Sequence, residues 1–168
     1  MKLLKEIRDS DVVGDDSFFE WSYNVRNSSR ALVFNKLNQI AIIFVLKNNY
    51  HKIPWWGVED WENLIEALER EVMEEIGWKI SVDKEVGVIL EYRNKFEQLQ
   101  ISYCYTANLV WDLWDTNFTK KEKNSGFQVK WMNLEDAIKT LEKDEPNNYA
   151  GKYMSKRDLI FLREGFIS

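Results

Sequence analysis

Residues 52–80 read KIPWWGVEDWENLIEALEREVMEEIGWKI. In its second half Leu64, Leu68, Val72 and Ile76 recur at fours, with Ile65 and Ala67 beside them. That spacing predicts a helix over 62–76 with one apolar stripe against a core. Glu71, Glu74 and Glu75 lie three and four apart, so they share a neighbouring face. Each like-charge pair costs a few tenths of a kcal/mol, about 0.2–0.5. They also fall in the last turn, where the helix dipole disfavours negative charge. A hard divalent cation among the carboxylates removes both costs, because such ions prefer oxygen ligands. A solvated acidic face is the other reading, and periodicity alone leaves both open.

Outward from this helix the order of elements is mixed. SSRALVFN (28–35) and QIAIIFVLKN (39–48) read as two strands around a turn at Lys36–Asn38. KISVDKEVGVILEYRN (79–94), LQISYCYTANLV (99–110) and FQVKWMNL (127–134) are further strand-like runs. LEDAIKTLEK (134–143) reads as a helix with Asn133 as its N-cap, and SKRDLIFLREGF (155–166) as a closing helix. Strands on both sides of the helix predict an α/β fold, a mixed sheet covered by helices on both faces, in one domain over 1–168.

The order of residues is more specific than their period. Glu62, Arg70, Glu71, Val72, Glu74, Glu75 and Gly77 spell E-x7-R-E-V-x-E-E-x-G. This resembles the signature of the Nudix hydrolases, Gly-x5-Glu-x7-Arg-Glu-(apolar)-x-Glu-Glu-x-Gly-(apolar), with Trp78 a loose fit at the final position. The preceding IPWWGVEDWE resembles the family's leading loop LPGGGxExGE and keeps Pro54, Gly57, Glu59 and Glu62. The resemblance implies an α/β/α sandwich with the Nudix loop-helix-loop. It implies a hydrolase that cleaves the pyrophosphate linkage of a nucleoside diphosphate derivative or nucleoside triphosphate, with Mg²⁺ or Mn²⁺. The alternative is a catalytically silent Nudix-fold domain that binds a nucleotide or a protein.

Carried over position by position, the resemblance makes Glu71, Glu74 and Glu75 the metal ligands and catalytic carboxylates. The backbone carbonyl of Trp56, where the family has glycine, would be a further ligand. Glu62 and Arg70 would pair to brace the loop against the helix. The general base varies in this family, and Glu122, in the charged loop TKKEKNSGF, is a candidate beside its reading as a solvated residue. His51 and Lys52 precede Pro54 at the mouth of the expected site and are candidate substrate contacts. Tyr92 and Arg93 end a strand and could stack on or pair with a substrate, and a structural role is the better reading. Lys152, Lys156 and Arg157 could close over a phosphate, and a helix-capping turn accounts for that stretch as well.

Composition narrows the partners. The chain has 168 residues, one cysteine, one histidine and a net charge of −5. A single cysteine excludes an internal disulfide. The acidic balance argues against nonspecific grip on nucleic acid. No apolar run approaches the length of a membrane span. A small nucleotide substrate and a cytoplasmic location fit this composition. A homodimer is compatible with the sequence, which leaves the assembly open.

Eight tryptophans include Trp55, Trp56 and Trp61 at positions where the family carries glycine, and Trp111 and Trp114 in NLVWDLWDTN, which reads as a turn. Trp131 reads as core. Glycine serves loops because it accepts positive φ and close backbone approach. Three explanations compete: a loop that has lost metal geometry, indoles that line a nucleotide pocket, or UGA codons read as Trp under one genetic code and as Gly under another.

Overall fold

The computed structural model describes residues 1–15, 22–57, 63–112 and 120–167. In chain order the elements are β1 (Leu3–Ile7), α1 (Asp9–Val12), β2 (Asn24–Phe34), β3 (Ile40–Val45), β4 (Tyr50–Lys52), β5 (Trp55–Gly57), α2 (Leu64–Ile76), β6 (Trp78–Arg93), β7 (Gln98–Asp112), α3 (Lys120–Asn124), β8 (Phe127–Met132), α4 (Leu134–Glu142) and α5 (Tyr149–Ile167). The expected mixed sheet is present. Its order is β1-β6-β7-β2-β3-β4, with β5 paired to β2 and β8 to β3. β1 runs parallel to β6 and β2 parallel to β7, and the other pairs are antiparallel.

Strand alternation divides the core in two. On one face Ala31, Val33, Ala41, Ile80 and Ala107 meet Leu68 and Val72 of α2. The three alanines, at most 1% exposed, leave room for the helix to lie close. On the other face Leu32, Ile40, Ile42 and Ile89 meet Ala137 and Leu141 of α4 and Tyr153, Phe161 and Leu162 of α5. Helices therefore cover both faces. Trp131 packs on the α2 side, its ring stacked 5.1 Å from that of Trp78.

Several boundaries differ from expectation for local reasons. The turn at 36–38 is held by Asn35, whose Oδ1 accepts from the amides of Leu37 and Gln39, and Asn38 takes a left-handed φ of 57°. The closing helix begins at Tyr149, earlier than its apolar pattern suggests. Asn148 starts it by accepting the Gly151 amide at 2.7 Å, so the capping reading of that stretch holds. Trp111 is not in a turn. It belongs to β7 and pairs with Lys79, 42% exposed. The charged loop around Glu122 contains a short helix, α3, closed by Gly126 at φ 66°.

Candidate functional site

The sheet forks at β2. β3 pairs with β2 only at Phe34 and Ile40, and β5 pairs further back along the same edge, with Ser28, Ser29 and Arg30 opposite Gly57, Trp56 and Trp55. The leading loop is thus fixed to the centre of the sheet. Both Trp55 and Trp56 have strand backbone, which any residue adopts, so glycine-only conformations are not required of them.

From this fork the chain reaches α2. Asn63 caps its start by accepting the Ile65 amide at 2.9 Å. Gly77 ends it in the left-handed conformation, φ 68°, donating its amide to Met73 at 3.1 Å. Positions 71, 74 and 75 lie in the second half of α2, and the last turn holds no basic residue. The side chains of Glu71, Glu74, Glu75 and Glu122, and all of Glu62 and Trp61, lie outside the described residues. So do the side chain of Trp56 and the whole of Trp114. Among the described residues no three His, Cys, Asp or Glu side chains form a metal-sized group. Arg70 is half-buried and engaged with a neighbour.

The structure separates the two candidate substrate contacts on β4. Lys52 is 4% exposed, with its Nζ 4.2 Å from the Phe127 ring centroid, and Phe127 packs in the α2-side core. His51 goes the other way. Its amide and Nδ1 engage the Asp144 carboxylate at 2.6 and 2.9 Å, and its ring lies against Phe44. Lys130 Nζ stands 3.4 Å from Nε2; an ammonium has only donors, so Nδ1 carries the proton given to Asp144. His51 ties β4 to the end of α4 and does not share the Lys52 side of the sheet.

A third arrangement went unread in the sequence. On the α5 side of the sheet, Glu91 accepts from Arg93 Nη2 at 2.7 Å, Ser102 Oγ at 2.8 Å and Arg157 Nη1 at 3.2 Å. Arg157 Nε donates to Asp158 at 2.7 Å, and the other Asp158 oxygen accepts the Ile53 amide at 3.0 Å. Arg30 Nη2 donates to Ser28 and Ser102, both at 3.1 Å. All of these side chains are buried. Burial pushes the Glu91 carboxyl up, but Arg157, Arg93 and Arg30 outweigh it and hold it at about 2. Burial, then repulsion from Arg157, lowers Arg30 to about 9. Among the described residues Arg93 Nε and Arg157 Nη2 are buried without a hydrogen-bond partner, a cost of about 1–3 kcal/mol each. The signal was legible as polar residues at every second position of apolar strands: Ser28 and Arg30, Glu91 and Arg93, Gln100 and Ser102. Of the residues read as a phosphate clamp, Arg157 is core, while Lys156 donates to the Asp11 carbonyl at 2.8 Å.

A family model described as the NUDIX domain matches residues 26–152. Solved structures with the same fold include the MutT protein from Methanosarcina mazei Go1, at TM-score 0.58 and 19% identity over 87% of this chain and 99% of that one. The E. coli ORF135 protein superposes at 0.61 and 14% identity, over 86% and 91%. A C. elegans Ap4A hydrolase does so at 0.54 and 18% identity, over 86% and 100%. No curated protein matches the chain in sequence.

Proposed function

We propose that this chain, which belongs to the Nudix family, is a metal-dependent pyrophosphohydrolase acting as one domain on a small nucleotide or nucleotide derivative. The observation that carries the reading is the family match, which spans the forked sheet, the loop bound to it and α2. The donor set fits Mg²⁺ or Mn²⁺: three glutamates three and four apart on a helix whose last turn has no cation of its own. Glu71, Glu74, Glu75 and the Trp56 carbonyl would hold the ion, and Glu122 stays a candidate base. A bound divalent ion neutralises pyrophosphate oxygens and lowers the pKa of a coordinated water. Lys52, on the α2 side, would add a positive charge for the phosphates. Arg70 would brace the loop with Glu62. His51, committed to Asp144, is left out of the substrate site.

No described helix is long and apolar enough to cross a membrane. A cytoplasmic location is part of the same reading. The test is a hydrolysis screen of nucleoside triphosphates, dinucleoside polyphosphates, ADP-ribose and nucleotide sugars with Mg²⁺ or Mn²⁺. Metal-dependent release of nucleoside phosphates is expected. Nucleotide binding without turnover across the panel would instead establish a silent binding domain.

A further inference from the structure

We infer that Asp144 and Asp158 are positioning residues for the proposed reaction: from the α4–α5 side of the sheet they hold the backbone of residues 51–53, and through it the leading loop whose carbonyl at Trp56 would bind the metal. This rests on the hydrolase reading and adds to it the means by which the loop is set.

The edge of the sheet singles these residues out. β4 ends the sheet path and pairs with β3. Amides two residues apart on a strand point to the same side, and those of His51 and Ile53 both face away from β3. Both residues are buried, where an amide without an acceptor is costly. Asp144 Oδ2 accepts the first amide at 2.6 Å, and Asp158 Oδ2 accepts the second at 3.0 Å. A second donor orients each carboxylate through its other oxygen. Asp144 Oδ1 accepts from His51 Nδ1 at 2.9 Å, and Asp158 Oδ1 from Arg157 Nε at 2.7 Å. The fastening starts ahead of β4, where the Asn147 amide donates to the Asn48 carbonyl at 3.4 Å.

The chain carries this constraint into the site. Ile53 is fully buried in the core shared with α4 and α5. Pro54 follows and is also buried. Its ring fixes its own φ and restricts Ile53 to extended backbone, which leaves little play between the clamp and the loop. β5 begins at the next residue and pairs with β2, with Trp56 opposite Ser29. β2 in turn packs against α2 through Ala31 and Val33. The two aspartates therefore act on where the Trp56 carbonyl lies relative to α2, through the backbone and not by contact with metal or substrate. Such alignment matters, since a displacement of about 1 Å caused by a distant change can cost about a hundredfold in rate.

The test compares Asp144→Asn and Asp158→Asn with Ile89→Val, each measured below its melting temperature. Asparagine keeps the shape but offers one acceptor oxygen to two donors. Mn²⁺ titration, followed by the electron paramagnetic resonance signal of the free ion, should give a Kd about tenfold or more above the parent in each Asn variant, the usual loss when a group that orients a metal ligand is removed. In hydrolysis with Mg²⁺, kcat should fall more than KM rises, because alignment is lost and not substrate binding. Ile89→Val is a core change in the same cluster, on β6 across β7 and β2 from β4. It should lower Tm and leave Kd and kcat at parental values. Asp144 lies beyond the end of α4 and Asp158 inside α5, so a folded variant of either one decides. A parental Mn²⁺ Kd in a folded Asn variant, or the same rise in Ile89→Val, overturns the positioning role and leaves the hydrolase reading standing. If the parent binds Mn²⁺ but hydrolyses no nucleotide in the screen, the hydrolase reading falls, and the Kd comparison still decides the positioning. A parent that binds no Mn²⁺ overturns both.

Discussion

Glu91 and Arg157 form an ion pair inside the core, with Nη1 and Oε2 3.2 Å apart and both side chains fully buried. The pair joins the middle of the sheet to the closing helix, and it sets an acid limit on stability. The Glu91 pKa falls from 4.5 to about 2 on folding. A depressed carboxylate contributes stability that is fully present above the unfolded value and is lost as pH falls through the folded one. Between about pH 4.5 and pH 2 the protein should therefore lose on the order of 3 kcal/mol from this group. Urea melts over that range measure it. Glu91→Gln should flatten this dependence and, by leaving guanidiniums uncompensated, cost about 3–5 kcal/mol at neutral pH. An unchanged acid profile in the variant would mean that other carboxylates set the limit.

Asp158 links the same cluster to the leading loop through the Ile53 amide. Asp158→Asn keeps the size but removes the charge that faces Arg157. The variant should lose stability and exchange the amide hydrogen of residue 53 faster, with β5 loosened on β2. Hydrogen exchange followed residue by residue checks this. Protection at 53 equal to that of the parent protein would show that the loop is held elsewhere.

On the proposed reading, Glu74→Gln or Glu75→Gln should lower turnover by at least about a hundredfold, since metal activation carries much of such catalysis. Stability in metal-free buffer should stay the same or rise, because removing a charge relieves like-charge repulsion on α2. Opposite signs for activity and stability distinguish a site residue from a packing residue. Near-parental turnover in both variants would remove these carboxylates from the reaction.

Arg70→Ala should weaken metal binding without deleting a ligand, because Arg70 is expected to brace the loop with Glu62. A Mn²⁺ titration should show a higher Kd. An unchanged Kd would count against the brace.

What the sequence revealed followed from period and capping. α2 was legible from Leu64, Leu68 and Val72, which are the residues that pack, and Gly77 ends it where the motif places a glycine. The long strands were legible because alternation and β-branched residues persist over β6 and β7. Short elements were not. β5 has three residues and exists because β2 offers an open edge, a fact of topology and not of local propensity. The separation of His51 from Lys52 was not legible for a similar reason: adjacent strand residues point to opposite faces, and the partner of the His51 ring, Asp144, is distant in sequence. The guanidinium cluster was assembled from four elements, so its alternating polar positions had a pattern without a visible purpose.

The tryptophans of the leading loop give the last prediction. Trp55 and Trp56 have strand backbone, so they do not bear the strain expected of side chains forced into glycine conformations. What glycine would still change is room, since it allows the closest approach of backbone to a ligand. In the proposed site the carbonyl at position 56 must reach a metal ion beside three carboxylates. Changing Trp55, Trp56 and Trp61 together to glycine should therefore raise Mg²⁺-dependent hydrolysis. The same change should lower Tm, because glycine in a strand costs about 0.5–1 kcal/mol per residue. Faster turnover from a less stable protein is the expected signature, read by kinetics and melting on one preparation. Loss of activity would show instead that the indoles serve the substrate. Intact mass of the protein from its native source settles how the gene is read: a deficit of one Gly-for-Trp difference per affected site identifies recoded glycines, and a mass with all eight tryptophans makes the indoles genuine.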